Sequence, residues 1–137
     1  MNDPKNGSAP TLSIETVLTH GGRDPADQFG FVNTPVYRGS TVLFKTLADL
    51  DAQQQRFLYG RAGNPTTESV EAVVTELEGA YRTRLVPSGL AAITIALLSC
   101  LKAGDEVLIS DSAYEPGRKF ADGFLQRMGV SARYYDP

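Results

Sequence analysis

Short and long apolar segments alternate through the second half of the chain. A short apolar segment at residues 83–87 leads into a long one at residues 88–102, and short, long and short segments then follow up to Tyr135. Short apolar runs bounded by glycine or proline are typical of strands, and longer runs with helical spacing are typical of helices. Because strands separated by helices pair in parallel, this order predicts an α/β fold with a mainly parallel sheet.

The individual elements can be placed from the same pattern. We expect strands and helices at these positions: strands 83–87, 106–109 and 130–135, and helices 66–78, 88–102 and 116–128. Thr66 or Thr67 is expected to cap the first helix, whose face bearing Val70, Val73, Val74 and Leu77 should be buried. The helix over residues 88–102 is apolar on nearly every face, which predicts burial on several sides, with Cys100 as a small core residue.

The chain before residue 66 has little regular pattern. Residues 1–10 are polar and rich in turn formers, which predicts a disordered tail. A short helix is expected from Thr11 to His20 and a turn or two of helix over residues 46–54. Since so long an irregular stretch is unusual within one domain, residues 11–65 are expected to form an arm that packs on a neighbouring surface, such as that of another subunit. Residues 66–137 would then begin the α/β domain.

Two loops should meet at the carboxyl edge of the sheet, where ligands bind in this fold class. In the first, Gly89 and Leu90 begin a helix whose free N–H groups could bind a phosphate, although a glycine chosen for a tight turn is the alternative. In the second, Tyr114 could stack on a planar ring attached to that phosphate, or it could cap the core.

Tyr59 and Arg61 lie in an irregular loop that glycine and Asn-Pro force to turn. A guanidinium and a phenol hydroxyl are together suited to binding an oxyanion. The alternative is a surface turn with an exposed arginine.

Composition limits the other possibilities. The net charge of -3 and the absence of a basic run argue against a nucleic acid partner, and the longest apolar stretch is too short to span a membrane. One cysteine and one histidine offer no metal-ligand cluster, so no metal site is predicted. A cytoplasmic location is expected.

A set of ordered motifs resembles a known family. These motifs are Tyr59-Gly-Arg-Ala-Gly-Asn-Pro-Thr66, Glu76-Leu-Glu-Gly79, Pro87-Ser-Gly-Leu-Ala-Ala92, Lys102-Ala-Gly-Asp105 and Ser112-Ala-Tyr-Glu-Pro116. In order and spacing they are similar to the N-terminal third of the Cys/Met-metabolism family of pyridoxal-phosphate (PLP) enzymes. The resemblance implies the fold type I PLP-transferase-like architecture, of which this chain would hold the first part.

The resemblance also implies roles for the candidate residues. The N–H groups of Gly89 and Leu90 would bind the PLP phosphate, and Tyr114 would stack on the pyridine ring. Tyr59 and Arg61 would reach the phosphate in the adjacent subunit, because members of the family are homotetramers, dimers of dimers with shared active sites.

Within the family, Tyr114-Glu115-Pro116 and residues 35–44 look like the bacterial cystathionine β-lyases, which act in methionine biosynthesis. These lyases cleave the sulfur amino acid cystathionine to homocysteine, pyruvate and ammonia. Cystathionine γ-synthase, γ-lyase and a non-catalytic PLP-binding or oligomerisation module remain as alternatives.

No catalytic residue is assigned in this chain. Its lysines are Lys5, Lys45, Lys102 and Lys119. None stands where the family has the lysine that bonds PLP, which belongs beyond residue 137. We therefore expect these residues to be part of a larger subunit and to be inactive alone.

Overall fold

The computed structural model describes residues 12–137, so the disorder predicted for residues 1–10 lies outside the described part of the chain. The chain divides into two compact units, one ending at Leu85 and the other covering Val86–Pro137. All of the described strands belong to the second unit.

The first unit contains three helices, α1 (Ile14–His20), α2 (Leu47–Ala52) and α3 (Pro65–Leu77). Each begins after a residue whose side chain accepts a hydrogen bond from an N–H of the first turn, namely Ser13, Thr46 and Asn64. Such caps satisfy N–H groups that have no partner within the helix. The two short helices expected before residue 66 are thus confirmed.

The start of α3 differs from the prediction. Asn64 Oδ1 accepts hydrogen bonds from the N–H groups of Thr66 at 3.0 Å and Thr67 at 3.1 Å. Thr67 Oγ1 in turn accepts from the Asn64 N–H at 3.0 Å, which completes a capping box. The expectation that Thr66 or Thr67 caps the helix is wrong, because Pro65 suits the first helical position and Asn64 precedes it.

Helices α1 and α3 pack together. Val17 is buried in this contact region, and Ser69 Oγ donates a hydrogen bond of 2.6 Å to the carbonyl oxygen of Gly22. The predicted buried face of α3 is only partly covered, since Val70 and Leu77 are exposed. Within residues 12–85, the regular spacing identifies the apolar face correctly but overstates how much of it is covered.

The second unit is a βαβ unit preceded by a helix. It contains α4 (Gly89–Cys100), β1 (Glu106–Ser110), α5 (Glu115–Phe120) and β2 (Ser131–Tyr135). The strands pair in parallel, from Glu106 opposite Ser131 to Ser110 opposite Tyr135. The α/β class and the parallel pairing are therefore confirmed.

A π-helical turn, Ala121–Leu125, continues α5 and supplies the core of this unit. Ala121, Leu125 and Val130 are buried and form one cluster. Partly buried residues of α4 and its C-cap, of α5 and of both strands pack against them: Leu97, Leu101, Val107, Ile109, Phe120 and Ala132. The helix predicted over residues 116–128 is present, but its middle is wound more widely than an α-helix.

Residues 83–87 do not form the predicted strand. The N–H of Leu85 donates to the Glu71 carboxylate at 2.9 Å, and no described backbone group forms a ladder with this segment. A strand is defined by its hydrogen-bonded neighbour. Within residues 12–137, such a neighbour is missing, so the prediction of a strand here is wrong.

The predicted burial of α4 is also wrong. No residue of α4 is fully buried, and Ile95, Leu98 and Cys100 are exposed. Hydrophobicity predicts which surface should leave water, whereas burial also needs another element to cover it. Despite its apolar sequence, α4 is too short to cross a bilayer, and the same holds for every helix in the described part of the chain.

Candidate cofactor site

The turn before α4 presents free hydrogen-bond donors. Ser88 caps the helix: its Oγ accepts from the Ala91 N–H at 3.1 Å, and its carbonyl oxygen accepts from the Ala92 N–H at 3.0 Å. Within residues 12–137, the N–H groups of Gly89 and Leu90 have no protein acceptor. An anion at this helix start would accept hydrogen bonds from these two N–H groups.

The space in front of Gly89 is open. Among residues 12–137, a Cβ built at Gly89 would have no heavy atom within 4 Å, other than its chain neighbours and its own helix backbone. A phosphate oxygen needs this kind of space to approach the backbone closely. The helix dipole adds partial positive charge at the same point.

Tyr114 lies at the start of α5, one residue before its first turn, and its side chain is exposed at 64%. It borders a cleft of about 270 Å³ between α4 and β1, with mainly apolar walls that include Ile93 and Leu97. An exposed aromatic ring at the rim of an apolar cleft can stack on a planar ligand.

The two helix starts lie near each other. Gly117 is buried against Ile93, because a Cβ at Gly117 would lie 3.6 Å from Ile93 Cγ2. Ile93 is about one helical turn after Gly89, and Gly117 is in the first turn after Tyr114. The contact between α4 and α5 thus lies about one helical turn from each of the two helix starts.

Tyr59 and Arg61 lie together in the first unit, on a firmly held loop. The Gly60 N–H donates to the Ser40 carbonyl at 2.8 Å, and Asn64 Nδ2 donates to the Gly60 carbonyl at 3.2 Å. A Cβ at Gly60 would overlap the carbonyl oxygen of Gly39, so only glycine fits.

Arg61 is exposed, and none of the ion pairs found within residues 12–137 includes it. Its charge is therefore available for an anion. Tyr59 and Arg61 belong to the first unit, whereas Gly89, Leu90 and Tyr114 belong to the second. That Tyr59 and Arg61 reach the cofactor phosphate of an adjacent subunit remains a prediction.

A side-chain network that the sequence did not indicate lies beside Tyr114. Arg118 pairs with Asp111 at 3.1 Å, and its guanidinium carbon lies 4.6 Å from the centre of the Tyr134 ring. Burial raises the pKa of the Tyr134 hydroxyl, and the hydrogen bond to Asp122 adds to the effect. The only signal in the sequence was an arginine one helical turn after Tyr114.

In the first unit, Arg56 connects distant segments through its guanidinium, as Arg118 does in the second unit. Its guanidinium contacts the carboxylates of Glu68 and Asp27, both at 2.5 Å. The hydrogen bonds to Glu68 and Asp27 raise the pKa of Arg56, which remains a cation at any physiological pH. Arg56 joins the irregular segment to α3 shortly before the Tyr59 loop.

The sequence over residues 15–137 matches the family described as Cys/Met metabolism PLP-dependent enzymes. The chain belongs to this family. This match confirms the family that the motifs resemble and its PLP cofactor. The similarity to solved structures confirms the fold class.

Relatives of this Cys/Met-metabolism PLP enzyme cover nearly all of its residues. A protein of Rhizobium johnstonii, named as a candidate cystathionine β-lyase, is 45% identical over 97% of this chain and 34% of its own length. A Saccharomyces cerevisiae protein of the same name is 48% identical over 92% of this chain and 37% of its own. The chain thus spans about a third of the length of these relatives.

Solved structures of related proteins are also similar to this chain. The crystal structure of MetB from Corynebacterium glutamicum is similar with a TM-score of 0.83 and 32% identity, over 92% of this chain and 32% of that one. Cystathionine γ-lyase from Lactobacillus plantarum, in complex with L-serine, gives a TM-score of 0.79 and 30% identity, over 91% and 31% of the two chains.

The residues present fit PLP. The open space at Gly89 and the two free N–H groups suit a phosphate, and the exposed Tyr114 ring suits a pyridine ring. Each feature suits one end of the cofactor, and that they hold the same PLP molecule remains a prediction.

Proposed function

We propose that these residues form part of a PLP-dependent carbon–sulfur β-lyase that cleaves cystathionine to homocysteine, pyruvate and ammonia. The observation that carries the proposal is the similarity to candidate cystathionine β-lyases, which extends over nearly the whole chain. The sequence Tyr114-Glu115-Pro116 at the start of α5 supports the same branch of the family.

Within this proposal, the N–H groups of Gly89 and Leu90 hold the phosphate of PLP. The Tyr114 ring lies against the pyridine ring and keeps water from that face, while its hydroxyl can carry a proton near the substrate amino group. When bound, PLP supplies an electron-withdrawing ring that stabilises the charge left after a proton is removed from the substrate Cα. The lysine that bonds the cofactor is proposed to lie outside residues 1–137, so these residues alone should not catalyse.

We place Tyr59 and Arg61 at the phosphate of a neighbouring subunit. The free charge of Arg61 and the rigid Gly60 turn support this role, because a fixed loop can present its side chains to another chain at little entropic cost. Residues 11–65 would then act as an arm in a homotetramer built as a dimer of dimers. A cytoplasmic location is part of the proposal, and the free, exposed Cys100 is compatible with a reducing compartment.

A substrate comparison with the full-length, PLP-loaded protein tests the reaction. We expect pyruvate to form from cystathionine in equal amount to homocysteine, with the keto acid and the thiol each identified by chromatography. Formation of cysteine and 2-oxobutyrate would instead indicate a γ-lyase, and condensation of O-acyl-homoserine with cysteine a γ-synthase.

A γ-lyase is the second candidate, since the Lactobacillus plantarum γ-lyase structure is similar over most of the chain. A non-catalytic module is the third. It would bind PLP reversibly, and borohydride would not fix the cofactor to the full-length protein.

A further inference from the structure

The loop that carries Tyr114 connects β1 to α5 over residues 111–114. Its first residue continues the sheet, because the Asp111 N–H donates to the Tyr135 carbonyl at 2.8 Å. The middle of the loop is fixed to the end of β1, because the Ala113 N–H donates to the Ser110 carbonyl at 3.0 Å. Since Tyr114 is exposed at 64%, the hydrogen bonds of this loop are what fix the position of its backbone.

Arg118 binds both ends of this loop. Its Nη1 donates to the Asp111 carbonyl oxygen at 2.7 Å, and its Nη2 lies 3.1 Å from the Asp111 carboxylate. The N–H of Arg118 also donates to the Tyr114 carbonyl at 3.2 Å. One residue therefore ties the end of β1 to the start of α5.

The guanidinium of Arg118 is itself fixed. It lies 4.6 Å from the centre of the Tyr134 ring, and Tyr134 stands on β2 opposite Ile109. The Tyr134 hydroxyl donates to the Asp122 carboxylate at 2.7 Å, within the π-helical turn. The Arg118 side chain is 35% exposed and that of Asp111 is 60% exposed, so the ring contact and the bond to the backbone carbonyl fix the guanidinium more than the ion pair does.

We propose that Arg118 is a positioning residue, which holds the Asp111–Tyr114 loop so that the Tyr114 ring meets PLP in one orientation. The planar guanidinium is needed because it reaches two oxygens of Asp111 and stacks on Tyr134 at the same time. A lysine ammonium could keep the ion pair, but it could not reproduce this arrangement. The inference rests on the proposed function, since it assigns Tyr114 to the cofactor ring.

The test compares Arg118→Ala and Arg118→Lys with Arg127→Ala in the full-length, PLP-loaded protein. Arg127 is a matched control, because its guanidinium lies 5.9 Å from the Phe124 ring in the same helical stretch and Arg127 forms none of the hydrogen bonds or ion pairs of the 111–114 loop. The main measurement is the visible circular dichroism per bound PLP, which depends on how the ring is held.

We expect Arg118→Ala to lose at least half of this signal and to lower kcat roughly ten- to a hundredfold at saturating PLP. Compared with Arg118→Ala, Arg118→Lys should recover the midpoint temperature of thermal unfolding more fully than the visible circular dichroism. Arg127→Ala should match the unaltered protein in both. Asp111→Asn keeps the contact between Arg118 and the backbone carbonyl of residue 111. We expect its visible circular dichroism to lie between that of Arg118→Ala and that of the unaltered protein.

Unchanged dichroism in Arg118→Ala, or full recovery of it in Arg118→Lys, would overturn the positioning role. If Arg118→Ala does not fold, the lysine and Asp111→Asn variants decide by the same measurement. Failure of the proposed function is recognised separately. In that case the unaltered protein binds PLP and shows its dichroism but does not release pyruvate from cystathionine.

Discussion

Replacing Asn64 by alanine should loosen both the start of α3 and the Tyr59 loop. The substitution removes the cap on the Thr66 and Thr67 N–H groups, which is worth about 1 kcal/mol, and also the hydrogen bond to the Gly60 carbonyl. A hydrogen bond of this kind contributes about 1 kcal/mol net. The sum of about 2 kcal/mol corresponds to an increase of about 30-fold in local opening.

Hydrogen exchange of peptides spanning residues 60–70, in the full-length protein, measures this opening directly. Asn64→Asp retains the capping oxygen and loses only the donor to Gly60, so we expect it to cost about half as much as Asn64→Ala. Thr46→Ala is a matched control, because it removes a cap from α2 and leaves α3 untouched. Equal exchange in the Asp and Ala variants, or a change below about twofold in Asn64→Ala, would refute the joint role of Asn64.

Three further outcomes are expected in the full-length protein. Arg61→Ala should weaken PLP binding by about tenfold or more with the fold intact, whereas the exposed Arg82→Ala should not; equal affinities would exclude the phosphate role. Tyr114→Phe keeps the ring and loses the hydroxyl, so activity should fall much more than PLP affinity, and equal losses would contradict that division. Since the raised pKa of Tyr134 means that the folded state favours the neutral phenol, its stabilisation is complete below about pH 10 and is lost as the pH rises further. Urea unfolding between about pH 9 and pH 11 should therefore be less pH-dependent in Tyr134→Phe than in the unaltered protein.

The sequence predicted those features that depend on neighbours along the chain. The parallel strands at Glu106–Ser110 and Ser131–Tyr135 were recognisable because short β-rich runs flank a helical pattern. Ser88 and Gly89 were recognisable as a helix start because a small polar residue precedes an apolar run. Asn64 followed by Pro65 is also a local signal for a helix start, since asparagine is a preferred N-cap and proline a preferred first helical residue.

The features that the sequence did not reveal depend on contacts between distant residues. The extended segment 83–87 and the exposed Cys100 show that an apolar pattern cannot tell which surface will cover it. The network of Arg118, Tyr134 and Asp122 joins side chains that only the pairing of β1 with β2 and the π-helical turn bring together. No spacing in the chain encodes that geometry.

The close approach of Gly60 to Gly39 has a practical consequence for protein engineering. Because Gly60 leaves no room for a side chain and donates its N–H to Ser40, the Tyr59–Arg61 loop has its shape only beside residues 39 and 40. Asn64 binds it from the other side. A graft of Tyr59 and Arg61, the proposed anion-binding pair, onto another scaffold would therefore require two separate segments, 39–40 and 59–64, transferred together.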